Sequence, residues 1–419
     1  MTIEEDNKRR LRIQIAFPHS LEQSGGMEKA CIWLANAMQQ RGHTVRVSCL
    51  YGAPQKLFHP LDPEVELSSF MMKGPRSFSS PWVGRSIPLA GKMVREIIRP
   101  FSKKTAAHWN EWCEARMLRE NIQKEIDEFT PDILISFRLD MTFFLLYAED
   151  TKYPVISSFR FTPDHLMKKA SGRDITALNQ ADVVHVQVPA YRDVLDEYGI
   201  RSRIVCIPNA IPQCSLPVDL SVEKPVYRIL YAARINPEQK RQHLLVEAFA
   251  RLADEFPDWQ VELWGDDAHY AGGYTGRILR FVREHHLEER VHICGKTHDM
   301  ASVYRRADIF CIPSAYEGFS NALGEAMSAG LPAVGYVSCP GVREMIHDGI
   351  NGFLVEDGVD ALADALGKLM GNRALRVRMG QAAHEAMKIC APDFIWRQWE
   401  QLIREAIASH GQEISCTCR

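Results

Sequence analysis

The chain has 419 residues, 46% of them hydrophobic and 25% charged, and a net charge of −3. That length exceeds one typical core and predicts two domains of about 200 residues each. The charge balance excludes a general nucleic-acid binder, and no apolar run approaches the roughly 20 residues needed to span a bilayer.

In chain order, Leu11 to Phe17 alternates apolar with polar residues and reads as a first strand. The next segment ends in Gly25-Gly26. A helix follows, with Ala30, Trp33, Leu34, Ala37 and Met38 at helical spacing and Gly42 as its stop. Val45 to Leu50 reads as a second strand, so the opening is a βαβ unit with a right-handed crossover. Glycines at such a helix start let a ligand approach the backbone, although a Gly-Gly pair alone predicts only a turn.

Residues 73 to 119 carry ten Lys or Arg against three Glu, a net +7. Within them Ala90, Met93, Val94, Ile97, Ile98 and Phe101 form an apolar helical stripe bordered by Lys92, Arg95, Arg99 and Lys103. Two readings stand: a basic amphipathic helix over 85–104 lying on an anionic membrane, or a core-packed helix with a basic outer face. Trp109 and Trp112 serve either as interfacial anchors or as packing.

Asp132 to Phe137 and Pro154 to Phe159 are further strands, each followed by an arginine, Arg138 and Arg160. Ends of parallel strands line the ligand crevice of an open α/β sheet. Strands over 182–188 and 203–207, with a short helix at 191–198 between them, complete the first half. The linker Gln213 to Pro225 has the composition of a domain boundary.

The second half opens on the strand Tyr227 to Ala233, followed by Arg234 and, at a helix start, Lys240-Arg241. A strand-end guanidinium and a helix-start ammonium can converge on one polyanion, with Arg241 the substitute if the register slips. Trp259 to Gly265 is the next strand. The following Asp266-Asp267 reads as loop charge rather than a metal site. Val291 to Gly295 follows. The strand Ala307 to Pro313 then enters Ser314-Ala-Tyr-Glu317-Gly318-Phe319-Ser320-Asn321-Ala-Leu-Gly-Glu325 and a helix closed by Gly330. Strand, turn and helix start make an anion site, since the first helix amides point outward unpaired. Ser320 or Asn321 caps that helix, Glu317 sits in the turn, and Glu325 lies a turn inside. Both carboxylates only accept hydrogen bonds, which suits sugar hydroxyls beside a phosphate. A further strand at 330–335 and helices at 359–371, 373–388 and 393–408 finish the chain.

The run from Glu317 to Glu325 resembles the E-x7-E signature of the family 4 glycosyltransferases. Gly25-Gly26-Met27-Glu28, Pro208-Asn-Ala-Ile-Pro212, Gly341-Val-Arg-Glu344 and Asn351-Gly-Phe resemble further motifs of that family. The resemblance covers about 226 to 390 nearly end to end and the first half more loosely. It implies an α/β, GT-B fold: two doubly wound parallel-sheet, Rossmann-like domains facing a cleft. The expected division is 1–212 on the acceptor side, 213–392 binding a nucleotide sugar, and 393–419 crossing back to the first domain. In that reading Glu317, Arg234 and Lys240 are catalytic. Gly25, Gly26, Gly295, Gly318, Phe319, Ser320, Asn321 and Glu325 bind the donor, and Arg160 and Arg138 stand on the acceptor side. Many members carry a histidine after the strand that here ends in Phe159-Arg160. Ser158-Phe-Arg160-Phe-Thr-Pro163 instead matches a Ser-Glu-Arg-x-x-Pro subset except at Phe159, which leaves the acceptor-side residue open.

The implied reaction is retaining, metal-independent hexosyl transfer from a nucleoside-diphosphate sugar to a glycan or lipid-linked acceptor in cell-surface polysaccharide or lipopolysaccharide synthesis. The nucleotide sugar is a substrate, so no cofactor is expected, and no metal. Two alternatives are a sugar-nucleotide epimerase on the same fold and a non-catalytic two-lobed binding protein. The latter is normally exported, whereas Met1 to Arg10 lacks an apolar signal core. The 11 cysteines, most set singly in apolar stretches (Cys31, Cys49, Cys294, Cys311), fit reduced thiols. The expected location is therefore cytoplasmic, at the inner membrane face if the basic helix binds lipid.

Overall fold

The computed structural model describes residues 9–22, 25–50, 52, 56–70, 89–149, 152–266 and 273–417. The chain forms two compact units, one of 1–207 with 396–419 and one of 208–395. Among the described residues no helix is long and apolar enough to cross a membrane.

In the first unit the order is β1 (Arg12–Phe17), α1 (Gly26–Gln40), β2 (Thr44–Cys49), β3 (Glu66–Ser69), α2 (Leu89–Ile98), α3 (Lys103–Phe129), β4 (Ile133–Ser136), α4 (Leu139–Glu149), β5 (Val155–Ser158), α5 (Pro163–Met167), α6 (Gly172–Gln180), β6 (Val183–Val186), α7 (Ala190–Glu197) and β7 (Arg203–Cys206). Its seven strands are all parallel, in the order β3-β2-β1-β4-β5-β6-β7. Parallel sheets are covered on both faces, so β4, β5 and β6 are buried at every position. The same covering explains Gln14. Alternation in β1 predicts an outward polar residue, yet Gln14 is fully buried and its amide donates to Ser48 Oγ at 2.8 Å. A buried amide needs such a partner.

The second unit runs β8 (Tyr227–Ala232), α8 (Gln242–Ala250), β9 (Trp259–Trp264), α9 (Gly273–Glu284), β10 (Val291–Gly295), α10 (Met300–Arg306), β11 (Ile309–Ile312), α11 (Asn321–Ser328), β12 (Ala333–Tyr336), α12 (Pro340–Arg343), β13 (Gly352–Val355), α13 (Val359–Gly371) and α14 (Arg373–Ala386). Its six strands are parallel in the order β10-β9-β8-β11-β12-β13. At the end of β9, Gly265 has φ +144 and lies so close to Ala233 that a side chain there would overlap the Ala233 carbonyl. The residues Pro208 to Pro212 belong to this unit: the Ile211 amide donates to Cys390 O at 2.8 Å. Ile211 also packs where a side chain on Gly324 of α11 would stand.

The last helix, α15 (Pro392–Thr417), contributes its residues from Trp396 onward to the first unit. Trp399 is 1% exposed there, its ring 4.5 Å from that of His185. Glu400 pairs with Arg41 at 3.3 Å and Arg203 with Glu405 at 2.5 Å.

The basic segment divides. Residues 71–88, including Arg85, and the Lys92, Lys103 and Lys104 side chains lie outside what is described, as do Asp267 and Cys418. α2 packs along α3, with Val94 and Ile98 half-buried. Met93, Ile97 and Phe101, four residues apart, are instead 65%, 66% and 89% exposed. Packing therefore takes one part of the stripe and leaves the rest in solvent. Trp109 and Trp112 are half-buried and tilted against each other at 5.3 Å.

Each sheet reverses its strand order once, between β1 and β4 in the first unit and between β8 and β11 in the second. The crevice beyond the carboxyl ends of the strands opens at such a point, and ligands bind there.

Candidate active site

At the second unit's reversal the residues after β11 meet those after β8. Lys240 Nζ donates to Glu317 Oε1 at 2.5 Å, and Ser314 Oγ donates to the same oxygen at 2.6 Å. Since the Ser314 hydrogen goes to the carboxylate, its oxygen accepts from Tyr231, 2.7 Å away. That one hydroxyl hydrogen is shared with the Lys240 carbonyl, 3.1 Å from the Tyr231 oxygen. Tyr231 is held as a neutral donor, because burial and then the Glu317 charge push its pKa well up. Glu317 is only 6% exposed. A carboxylate so buried must be paired, and the ammonium and hydroxyl supply the pairing. α12 closes the turn from the other side: a side chain on Gly341 would overlap the Glu317 carbonyl.

The helix register falls on Lys240 and not on Arg241. Lys240 lies in the turn before α8, and Arg241 is its N-cap residue in the left-handed region, φ 50. That conformation turns the Arg241 side chain onto other partners: its Nε donates to Pro313 O at 2.9 Å, its Nη1 pairs with Asp357 at 3.0 Å, and it stacks on Tyr336. Arg234 follows β8 and is exposed, outside the Lys240–Glu317 network.

Ser320 is the N-cap of α11, accepting from the Leu323 amide at 3.3 Å. Asn321 is the first helical residue, and its Oδ1 accepts from Asn209 Nδ2 at 2.7 Å. The cap leaves the α11 dipole facing the turn that holds Glu317 and Gly318. Phe319 is half-buried against the core. Glu325 accepts from the buried Tyr304 hydroxyl at 3.1 Å, and burial followed by the Glu325 charge pushes the Tyr304 pKa well up. Gly295 ends β10 at φ +71 with open space where a side chain would stand, so its backbone angle is what selects glycine. Next to it Lys296 pairs with Asp266.

In the first unit, Gly25 precedes α1, and a side chain there would meet the Glu28 carboxylate, itself 5% exposed. The glycine thus makes room for a buried acid. Arg138 donates from Nε to Asp140 Oδ1 at 2.6 Å, from Nη2 to Oδ2, and from Nη1 to His19 Nε2 at 2.7 Å. Arg160 lies over the Phe137 ring at 4.5 Å and the Trp399 ring at 5.4 Å, and burial lowers its pKa to about 9. Ser314 lies within the quoted run, three residues before Glu317. Tyr231 and His19 enter through strand pairing between distant segments, and Tyr304 and Asn209 through contacts 21 and 112 residues apart, none of which local pattern carries; Asp140 is two residues from Arg138.

Burial pushes the Cys49, Cys339 and Cys390 thiols up to about 12, which keeps these three protonated. Cys31, Cys49, Cys311, Cys339 and Cys390 are buried free thiols.

Residues 218–386 match the family model described as glycosyl transferases group 1, and 24–213 match that described as Glycosyltransferase Family 4. A phosphatidyl-myo-inositol mannosyltransferase of Mycobacterium tuberculosis is 25% identical, over 90% of this chain and 92% of its own. An uncharacterized glycosyltransferase of Haemophilus influenzae is 22% identical, over 92% and 98%. An exopolysaccharide phosphotransferase of Streptomyces coelicolor is 33% identical over 49% of this chain, and the match spans 21% of that relative's length. Among solved structures, sucrose-phosphate synthase from Thermosynechococcus elongatus superposes with TM-score 0.73 at 17% identity, covering 96% of this chain and 100% of the other. Anabaena HepE in complex with UDP and glucose gives 0.68 at 17%, covering 94% and 99%. At such identities the structural likeness bears on the fold, which is GT-B.

Proposed function

The chain belongs to the family 4 glycosyltransferases, and on that premise we propose that it transfers a hexose from a nucleoside-diphosphate sugar to a glycan or lipid-linked acceptor with retention at the anomeric carbon. The observation that carries this reading is the Lys240–Glu317–Ser314 cluster at the second sheet's reversal, beside the start of α11. In the reaction the bond from anomeric carbon to diphosphate oxygen breaks and one to the acceptor oxygen forms on the same face. The acceptor's proton passes to the departing phosphate. The protein's task is to stabilise the leaving diphosphate and a cationic, sugar-like transition state with charges fixed in advance.

Lys240 has three N–H donors and gives one to Glu317. The remaining two, with the Arg234 guanidinium and the α11 amides, suit the diphosphate. Glu317 holds sugar hydroxyls and lends negative potential beside the anomeric carbon. Glu325, oriented by Tyr304, takes the ribose diol. UDP-linked hexoses are the donors to try first, because HepE is solved with UDP and glucose. The exposed Met93, Ile97 and Phe101 beside Arg95 and Arg99 favour attachment to an anionic membrane face, the inner one for a lipid-linked acceptor in lipopolysaccharide or polysaccharide synthesis.

The test is turnover of Glu317→Gln and Lys240→Ala. Each should lose on the order of 3 kcal/mol of transition-state stabilisation, roughly 150-fold in kcat/KM, with the nucleotide still binding to the Gln variant. Unchanged turnover in both would refute the assignment.

A further inference from the structure

The two cations of the proposed donor site share one loop, with Arg234 at its start and Lys240 near its end. Arg234 is exposed, so its charge is only as well placed as the backbone that carries it. On one side that backbone prolongs the sheet: the Ala233 amide donates to Trp264 O at 2.9 Å and the Ile235 amide to Asp266 O at 2.7 Å. On the other side β11 pairs with β8 only through Ile309 and Phe310, opposite Ile229 and Leu230. Past that point Gln242, the first residue of α8, stands in for a strand. Its Nε2 donates to Arg234 O at 2.9 Å, and its Oε1 accepts from the Asn236 amide at 3.2 Å. The side chain does there what a backbone peptide does in a ladder. Its orientation follows from its partners, since a carbonyl only accepts and an N–H only donates. Gln242 is 1% exposed.

Asn236 passes the restraint on to Lys240. Its carbonyl accepts from the Lys240 amide at 3.1 Å and the Arg241 amide at 2.9 Å. Its Oδ1 accepts from the Glu238 and Gln239 amides at 2.9 and 2.7 Å. One buried amide thus ties the residue that bears the guanidinium to the residue around which the Lys240 turn is wound.

We propose that Gln242 is a positioning residue for the donor's diphosphate, acting through the loop backbone to set Arg234 and Lys240 at the spacing that two linked phosphates require. This role deepens the donor-site reading above and rests on it. A positioning amide and a merely structural one differ in what their loss does. Loss of packing weakens every nucleotide alike, because the whole unit loosens. Loss of cation placement weakens the ligand that carries a second phosphate and spares the one that lacks it.

The experiment titrates the full-length chain with UDP, GDP, ADP and dTDP, each against its monophosphate, by calorimetry, beside thermal melts without nucleotide. In the wild type at least one diphosphate should bind more tightly than its monophosphate. Gln242→Met and Gln242→Leu fill the space without the amide. Each should weaken that diphosphate by about tenfold or more, as for losing a hydrogen bond to a charged group, and the monophosphate by less than about twofold. Added to Arg234→Ala, which already removes one cation, Gln242→Met should cost the diphosphate less than it does alone. Unchanged diphosphate binding in both variants overturns the role. Equal losses for the two nucleotides, full additivity with Arg234→Ala, or loss of a cooperative melt in both variants overturns it in favour of a purely structural amide. Absence of any diphosphate preference in the wild type overturns the donor-site reading, and this role with it.

Discussion

Ser314 offers the sharpest test of how the donor site is held. It is fully buried, donates to Glu317 Oε1 at 2.6 Å and accepts from Tyr231. Ser314→Ala removes a charge-assisted hydrogen bond to a carboxylate that is itself 6% exposed. Bonds to charged groups contribute about 1.5–3 kcal/mol, so kcat/KM should fall roughly tenfold to hundredfold. Lys240 still pairs with Glu317, so the fold survives. Tyr231→Phe removes a neutral hydroxyl that sits behind Ser314 and beside the Lys240 carbonyl, while Ser314 keeps its own hydrogen on Glu317. Neutral bonds are worth about 1 kcal/mol, and the expected loss is about fivefold. Steady-state kinetics of both variants with one donor, beside thermal melts, give the comparison. A Tyr231→Phe defect equal to or larger than that of Ser314→Ala would refute the order of donors assigned here.

Other outcomes follow from the same structure. Gly265→Ala should lower stability by about 3 kcal/mol or more, read as the midpoint of chemical denaturation, because φ +144 and the Ala233 carbonyl both oppose a side chain; a midpoint within error of the wild type contradicts this. His19 and His243 have pKa values lowered to about 4, chiefly by burial and then by Arg138 and Arg277 respectively. The unfolded chain takes protons first, so stability should fall as pH drops from 6.5 towards 4 and be unaffected by these groups above 6.5. His19→Gln/His243→Gln should flatten that limb of a melting-temperature profile, and a profile rising on acidification would defeat the account. Full-length protein should sediment with anionic vesicles and not neutral ones. Met93→Ser/Ile97→Ser/Phe101→Ser should lose this binding, as should Lys92→Glu/Arg95→Glu/Arg99→Glu, and retention by both triples removes the membrane assignment.

The βαβ rhythm and the Glu317 turn are legible in the sequence because they are local. A strand-length apolar run, a cap and a glycine stop lie within about two dozen residues of one another, and Ser320 does cap α11. Choosing Lys240 over Arg241 needs the backbone angle at Arg241, which a spacing argument does not supply. Tyr231 and Ser314 are 83 residues apart, and they meet because β8 pairs with β11 through Ile229–Ile309 and Leu230–Phe310. His19 and Arg138 meet through the β1–β4 pairing in the same way. The 27-residue α3 escapes a reading centred on the basic charges before it, although Leu118, Ile122, Ile126 and Phe129 bury one face of its later turns. The stripe of α2 was ambiguous for a physical reason, since one part of it packs and another does not.

Trp399, Leu402, Ile403 and Ala406 of α15 are buried in the first unit, with the Trp399 ring against that of His185 on β6. That unit is therefore discontinuous: its last layer is translated about 190 residues after β7. On the ribosome, where domains generally fold as they emerge, the second unit can finish before the first. A nascent chain stalled after β7 presents an uncovered apolar bed, which chaperones would hold until the final helix arrives.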